Sequence, residues 1–299
     1  MVALLFHAIE QGLAYGIAAL GVFLTYRILD FPDLTVDGSF VTGAAIASIL
    51  LVRYGVDPFS VLFFAFIAGM IAGIITGILN TRLGIKDLLA GVLTMIMLYS
   101  INLRIMGRPN LSLLRIPTVT RVIAAAWSPL GGLAVLAFIA LITFAVKIVL
   151  DWFLRTEIGF ALRATGQSEG MITAHGVNTA TMKLAGLSLA NGLVALSGAL
   201  VAQYSGFADV GMGIGTIVTG LAAVIIGGSL IRSRRVGWMT ASVLFGSIVY
   251  RLAVVLALRY GYVVGFQASD LKLITSLIVI LALVAPYLRD RKRRRVQAC

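Results

Sequence analysis

The sequence predicts an all-α polytopic membrane protein with about nine transmembrane helices (about eight to ten), arranged in two halves of inverted topology. Three observations predict this fold. Of the 299 residues, 60% are hydrophobic and only 12% are charged, and the mean hydropathy is +1.03. Soluble domains are about half apolar and about a quarter charged. In addition, nine apolar segments approach the ~20 residues that a hydrocarbon core requires, and the chain contains an internal repeat.

The nine apolar segments follow one another along the whole chain. They cover residues 8–29, 38–54, 58–79, 87–106, 130–152, 184–204, 213–231, 238–258 and 270–288. In the third segment, Gly69, Gly73 and Gly77 recur every four residues, which predicts close packing against another helix. The stretch LSLLRIPTVTRVIAAAW, between the fourth and fifth segments, predicts a short amphipathic helix on the outer surface or a tenth, partial span.

The basic residues predict the orientation of these spans. The tail, residues 289–299, carries six of the 24 Lys and Arg residues directly behind an apolar segment, a pattern typical of a cytoplasmic anchor facing anionic lipid. With the tail inside, sixteen of the 24 lie on the inner side, seven on the outer side, and Arg251 within a span. The N-terminus is then outside and the C-terminus cytoplasmic. The net charge of +12 thus predicts lipid contact and no nucleic acid, because no soluble module remains to bind it.

An internal repeat relates the two ends of the chain. GIAALGVFLTYRILDFPD (16–33) aligns with GLVALSGALVAQYSGFAD (192–209) at an offset of 176 residues, with Gly, Ala, Leu, Leu, Phe and Asp coinciding. One inserted residue later, GSFVTGAA aligns with GTIVTGLA. The copies begin five spans apart, and an odd offset reverses their direction across the bilayer. The predicted organisation begins with a first inverted half (1–106), followed by an outer loop with a connecting span (107–152) and by cytoplasmic helices (153–183). A second inverted half (184–288) and the basic tail (289–299) complete the chain.

Both copies are interrupted at matching positions. We call DFPDLTVDG (30–38) the first break and GFADVGMGIG (206–215) the second break. Broken segments at corresponding places in two halves indicate a translocation path, because irregular backbone is tolerated at membrane depth only where protein or water covers it. The alternative is two ordinary loops at the membrane surface. The candidate path residues are Phe31, Asp33, Asp37, Tyr204, Phe207, Asp209 and the mid-span Arg251. For Arg251, pairing with Glu10 or an Asp of the first break is expected, and contact with an anionic solute is the alternative.

A polar island interrupts the hydrophobic sequence between the fifth and sixth segments. We call residues 153–183 the coupling segment. Its pattern predicts two short helices, the first ending at Gly166 and the second beginning at Ser168 as N-cap and ending before Gly176. Two short helices joined by a glycine form a compact projection on the inner face, which can receive a mechanical input.

The coupling segment resembles the cytoplasmic coupling loop of ABC importer permeases in the branched-chain amino acid and ribose group. Their pattern is R-A-x-G, a short polar run, an Ala, then Gly-[IV]-[ND]. The residues that match it are Arg163, Ala164, Gly166, Ala174, Gly176, Val177 and Asn178. LTYRILDFPDLTVDGSFVTGAA and GLAAVIIGGSL resemble further signatures of the group. The combination of DLTVDGSF with ALRATGQ is most similar to uncharacterised permeases of a tryptophan/tyrosine type.

This resemblance implies a type II importer permease in the bacterial inner membrane. It would form a homodimer, or a heterodimer with a related permease, and would receive a small solute such as an amino acid from an extracytoplasmic binding protein. A cytoplasmic ATPase dimer, which binds ATP and Mg, would dock on the coupling segment. The implied coupling residues are Arg163, Ala164, Gly166, Gln167, Glu169, Met171, Ala174, His175, Gly176 and Asn178.

Other function classes have less support in the sequence. No Walker A motif or catalytic motif occurs, so the chain is expected to be a pore subunit without enzymatic activity or a cofactor of its own. One cysteine and two histidines predict no metal site. The competing hypothesis is an ion-coupled secondary transporter with inverted repeats, in which Asp33, Asp37 and Asp209 would bind Na⁺ or H⁺. Such a carrier has no use for a docking site for an ATPase.

Overall fold

The structure is a computed structural model that describes residues 2–127, 131–231, 233, 235–263, 273, 275–277 and 279–280. The ninth predicted span, 270–288, falls largely outside the described residues, and the basic tail falls wholly outside them. The other eight predicted spans lie mostly within the described residues.

The described chain is almost entirely helical. Its helices are α1 Val2–Phe23, which continues as a π-helical turn at Leu24–Ile28, α2 Thr35–Tyr54, α3 Pro58–Thr81, α4 Asp87–Met106, α5 Val119–Ala126, α6 Gly131–Phe153, α7 Glu157–Gln167, α8 Glu169–Ala174, α9 Thr179–Ser205, α10 Thr216–Leu230 and α11 Val236–Val263. Two three-residue strands, β1 Asn110–Ser112 and β2 Phe207–Asp209, complete the described elements. The predicted all-α polytopic fold is confirmed.

Seven of the helices in the described ranges are long and apolar enough to cross a membrane: Leu4–Ile28, Thr35–Tyr54, Pro58–Thr81, Asp87–Met106, Gly132–Phe153, Thr179–Ser205 and Val236–Tyr260. They correspond to the first six predicted spans and the eighth. Large apolar side chains are exposed on these helices, such as Phe63 on α3 and Leu141 and Val149 on α6, as lipid contact requires.

The seventh predicted span is the main correction to the sequence reading. We expected a crossing helix over 213–231, but α10 contains only 15 residues. At 1.5 Å per residue it is about 22 Å long, which is less than the ~30 Å of a hydrocarbon core. Three residues of the expected span precede α10 in an irregular segment, and Gly215 at its N-cap has a positive φ of 88°.

The loop between α4 and α6 contains the short amphipathic helix that the sequence predicts. This helix, α5, has eight residues, too few for a tenth span. Two strands were not predicted. β1 lies in the same loop and pairs antiparallel with β2 of the second break, with Leu111 opposite Ala208. This pairing fixes the second break to the loop, although the two are separated by about a hundred residues in sequence.

Helix α9 occupies the centre of the fold and packs against α1, α2 and α3. The glycine stripe of α3 faces it: a Cβ at Gly69, Gly73 or Gly77 would collide with backbone or side-chain atoms of α9. The successive contacts on α9 are Asn191, Leu187 and Leu184. The predicted packing role of these glycines is therefore confirmed, because only a hydrogen side chain permits this separation between the two helices.

Candidate functional site

Asp33 of the first break lies inside the protein beside the middle of α9, whereas Asp30 and Pro32 of the same break are exposed. Asp33 is 1% exposed, and its Oδ2 accepts a hydrogen bond of 2.7 Å from Nδ2 of Asn191. Asn191 is twelve residues into α9, about 18 Å along the helix axis. The break occupies residues 29–34, since α2 already begins at Thr35. The part of this segment around Asp33 is therefore packed against α9.

A hydrogen-bond network surrounds Asp33 and satisfies the interrupted backbone. Asp33 Oδ1 accepts from the backbone N–H of Thr35 at 2.9 Å, which caps α2. The hydroxyl of Ser39 donates to Asn191 Oδ1 at 2.7 Å, and the hydroxyls of Thr35 and Thr76 lie 2.7 Å apart. These groups are buried, and buried polar groups are tolerated when they are hydrogen-bonded. Asp33, together with Phe31, thus lies within the protein wall and holds α2 against α9.

Asp37 joins the two breaks. Its carboxylate accepts the backbone N–H of Gly215 at 2.9 Å and that of Ile217 at 2.8 Å. These two amides begin α10, and a helix start leaves such donors unsatisfied. A carboxylate from α2 thus caps α10, and its location decides where α10 begins. Asp37 is partly exposed, unlike Asp33.

The second break contains the counterpart of the first capping bond. Asp209 aligns with Asp33 in the predicted repeat, and its Oδ1 accepts the N–H of Gly211, two residues on, at 2.7 Å. Asp33 makes the same bond to Thr35. Asp209 Oδ2 also accepts from Asn110 at 3.3 Å. Phe207 is exposed beside it. The inverted relation of the two halves remains a prediction.

Tyr204 belongs to a polar cluster at the other end of α9. Its hydroxyl donates to Glu10 Oε2 at 2.8 Å and lies 2.8 Å from Nδ1 of His7. Glu10 is only 3% exposed, so it lies within the protein. The expected pairing of Arg251 with Glu10 or an Asp of the first break is wrong: within the described ranges, Arg251 has no ion pair. Its guanidinium lies instead over the ring of Tyr15, with Cζ 3.6 Å from the ring centroid.

The coupling segment forms two short helices, α7 and α8. Ser168 caps α8 by accepting the N–H of Met171 at 3.4 Å, and Gly176 follows with a positive φ of 82°, both as predicted. The expected end of the first helix at Gly166 is wrong, because α7 continues to Gln167. Gly166 is needed for a different reason: a Cβ there would collide with the backbone carbonyl of Ile28. The glycine thus allows α7 to pack directly on the end of the first span.

A second connection ties the coupling segment to α9. Lys183, in the first turns of α9, forms an ion pair with Glu169 of α8. Asn178 caps α9 by accepting the N–H groups of Ala180 and Thr181 at 3.1 and 3.3 Å. The predicted coupling residues divide into two groups by exposure. Arg163, Ala164 and Gly166 are partly buried, whereas Gln167, Glu169, Met171, Ala174, His175, Gly176 and Asn178 are exposed. The exposed group forms the surface that a partner can reach.

Two cavities open on the side of the coupling segment. One, of about 610 Å³, lies between the end of the first span, α10 and the start of α11. The other, of about 360 Å³, includes Arg163, Gly166, Gln167 and Asp30 in its lining. Tyr26, Arg27 and Met239 line both cavities. The coupling segment therefore borders an open space at this end of the helix bundle.

Residues 4–284 match the family described as Branched-chain amino acid transport system / permease component. The chain belongs to this family. The permease is 41% identical over 270 residues to the "Tyrosine transport system permease protein" of Clostridioides difficile (strain R20291), covering 90% of this chain and 87% of the relative. It is 35% identical over 281 residues to the "Uncharacterized protein RP368" of Rickettsia prowazekii (strain Madrid E), covering 94% and 96%.

A solved structure shares the fold of the permease. PsaBC from Streptococcus pneumoniae in complex with Fab superposes with a TM-score of 0.50 and 17% identity, covering 92% of this chain and 89% of that chain. The likeness concerns the fold alone. The role of permease component comes from the family.

Sequence reasoning missed two participants in the interior of the permease. Asn191 was not singled out, although a polar side chain in an apolar span indicates an internal partner. Tyr15 was overlooked as well, because an isolated tyrosine in a span resembles ordinary core. The order LANGL around Asn191 was the available signal. No local sequence pattern indicates the role of Tyr15, because its partner Arg251 is 236 residues away in sequence.

Proposed function

We propose that the permease is the membrane subunit of an ATP-driven importer that carries tyrosine or a chemically similar amino acid into the cytoplasm. The observation that supports this most directly is the coupling segment, two capped helices that expose a polar surface and are fixed to two different spans. The name of the Clostridioides difficile relative supports the substrate class. The family supports the role of pore subunit.

The connections of the coupling segment suggest how ATP binding drives transport. A cytoplasmic ATPase dimer, which binds ATP and Mg, docks on the exposed surface of α8. Closure of that dimer displaces α8, and the ion pair between Glu169 and Lys183 passes the displacement to α9. The contact of Gly166 with Ile28 passes it to the first span. Short rigid elements that press on a packed interface are able to switch it between two arrangements.

Helix α9 carries this displacement to both breaks. It holds the first break through Asn191 and Asp33 and continues directly into the second break. Because Asp37 of α2 caps α10, a shift of α2 also moves the start of α10. The translocation path runs along the partly exposed residues of this region between two permease subunits, identical or related. A binding protein delivers the solute on the side of the N-terminus, and the ATPases lie on the side of the C-terminus.

Co-purification and reconstitution test this function. The permease is expressed with the ATPase and binding protein encoded beside it, and uptake of radiolabelled L-tyrosine into liposomes is measured with and without ATP. We expect a stable complex and ATP-dependent uptake. A permease that purifies without an ATPase and moves solute on an ion gradient without ATP contradicts the proposal and favours the secondary transporter.

The replacement of Gly176 by alanine tests the coupling segment within this experiment. Gly176 has a φ of 82°, and a Cβ there meets no atom within 4 Å, so the replacement acts only through backbone strain. The matched control is Gly55→Ala, which has a φ of 60° and equally open surroundings at the end of α2. The strain is of order 1–2 kcal/mol in both. We expect Gly176→Ala to lose ATPase binding or uptake and Gly55→Ala to retain both.

A further inference from the structure

Arg251 carries a positive charge in the middle of α11 with no acidic partner in the described part of the chain. It is residue 16 of the 28 in the helix. Its Nε is buried and has no hydrogen-bond partner, and no hydrogen bond joins its terminal nitrogens to any described residue. Its one described interaction is the cation–π contact with Tyr15. A charged residue at this depth is costly unless it faces protein partners, water or a ligand.

The acidic groups that are expected to neutralise Arg251 are already hydrogen-bonded elsewhere. Glu10 accepts from Tyr204, Asp33 accepts from Asn191, and Asp37 accepts from two amides of α10. Among the described residues, Nε of the guanidinium therefore has no acceptor, while each of these three carboxylates has its own partner. A buried donor without an acceptor costs about 1–3 kcal/mol. A fold that retains such a group has room for an acceptor supplied from outside the chain.

The surroundings of Arg251 belong to the region of the two breaks. Tyr15 stacks on Phe40 of α2 with the ring centroids 5.4 Å apart, which holds the tyrosine ring in place. Tyr15 also belongs to the apolar cluster that includes Ile217 of α10 and Tyr204 of α9. Arg251 and Tyr15 are both only partly buried by the described chain. The guanidinium is thus presented by a rigid aromatic support next to the candidate path.

We propose that Arg251, supported by Tyr15, binds the carboxylate of the solute as it passes through the permease. This proposal rests on the proposed function and narrows the substrate to compounds with a free carboxylate. A guanidinium offers two parallel N–H donors that match the two oxygens of a carboxylate. Among the described residues no acidic side chain pairs with this charge, so a passing solute can supply the carboxylate.

Cysteine chemistry tests this role without relying on the selectivity of the binding protein. The native Cys299 is replaced by serine, and Arg251→Cys is introduced in the reconstituted complex. We expect uptake of L-tyrosine to fall about tenfold or more, since hydrogen bonds to charged groups contribute about 1.5–3 kcal/mol. Modification with aminoethyl methanethiosulfonate restores a positive charge and recovers uptake several-fold. The neutral methyl reagent and the anionic sulfonatoethyl reagent do not. Excess L-tyrosine slows the reaction of this cysteine.

The outcomes distinguish a solute-binding role of Arg251 from a purely structural role of its charge. Recovery by the aminoethyl reagent without protection by L-tyrosine indicates a charge pair within the protein and overturns the proposal. Recovery by all three reagents, or by none because the cysteine does not react, also overturns it. Leu256→Cys on the same helix is 38% exposed in the parent side chain and is the matched control. Its modification should not alter uptake in a charge-dependent way.

A second variant and a comparison with the complex that retains Arg251 complete the experiment. If Arg251→Cys fails to fold, Arg251→Lys keeps the charge and loses the paired donors. We then expect uptake to fall several-fold with unchanged thermal stability of the complex, and unchanged uptake overturns the proposal. Failure of the proposed function has a different signature, because the complex that retains Arg251 then shows no ATP-dependent uptake of L-tyrosine.

Discussion

Replacement of Gly166 by alanine is a direct test of the contact between the coupling segment and the first span. Ordinary contact between a Cβ and a carbonyl oxygen begins at 3.4 Å. A Cβ at position 166 would be more than 1 Å closer than that to the carbonyl oxygen of Ile28. The opposing atom belongs to the backbone of a π-helical turn, so no side chain can rotate away. Helix α7 must therefore move by over 1 Å or the first span must distort.

The cost of this displacement follows from measured effects of overpacking. Inserting a methyl group into a filled contact costs about 1–3 kcal/mol, and 1.4 kcal/mol corresponds to about tenfold in an equilibrium constant. The balance between packed and displaced positions of α7 should shift by about fivefold to a hundredfold. Since the exposed surface of α8 is unchanged, the ATPase should still dock. We therefore expect the amount of L-tyrosine transported per ATP hydrolysed to fall several-fold.

The assay measures uptake and ATP hydrolysis in the same liposomes. Gly132→Ala is the matched control, because Gly132 lies in α6 and a Cβ there meets no atom within 4 Å. In that position, alanine stabilises the helix by up to about 1 kcal/mol. Equal transport per ATP and equal thermal stability in Gly166→Ala and Gly132→Ala would refute the contact as a coupling element.

Three further results follow from the polar contacts. Asn191→Asp keeps the side-chain shape but places a second carboxylate 2.7 Å from that of Asp33, so the free energy of unfolding should fall by about 1–3 kcal/mol. Adding Asp33→Asn should recover part of this loss, and no recovery would exclude direct pairing. In a background without the native cysteine, Asp37→Cys should react with water-soluble thiol reagents and Asp33→Cys should not; equal labelling would contradict the assigned burial. Glu169→Lys reverses the charge and should weaken ATP-dependent uptake, and adding Lys183→Glu should restore it. Without such a rescue, the ion pair does not contribute to coupling.

The order of the spans was accessible from the sequence because hydropathy is a sum over contiguous residues. The boundaries of α4 coincide with the predicted segment 87–106, and those of α3 differ by two residues at one end. The glycine stripe of α3 could be predicted because its four-residue spacing places the three glycines on one face of a helix. The caps at Ser168 and Gly176 depend on bonds to residues a few positions away, and both were predicted correctly.

The error at Gly166 shows where local reasoning ends. A glycine after a short helical pattern usually indicates a helix end, but here the glycine is required by Ile28, which is 138 residues away in sequence. The seventh span was misjudged in the same manner. Its apolar residues satisfy a hydropathy window, yet the start of α10 is set by Asp37, which caps Gly215 and Ile217 from another helix.

The sequence by itself thus determined that the chain is a polytopic membrane protein, where most of its spans lie, and which segment carries the coupling pattern. Only the tertiary structure decided how the buried polar groups are paired: Asp33 with Asn191, Glu10 with Tyr204, and Arg251, among the described residues, with the ring of Tyr15. The physical reason is that burial of apolar surface depends on composition along one helix. A hydrogen bond at membrane depth depends on which side chains face each other across two helices, and the packing of the helices alone fixes that.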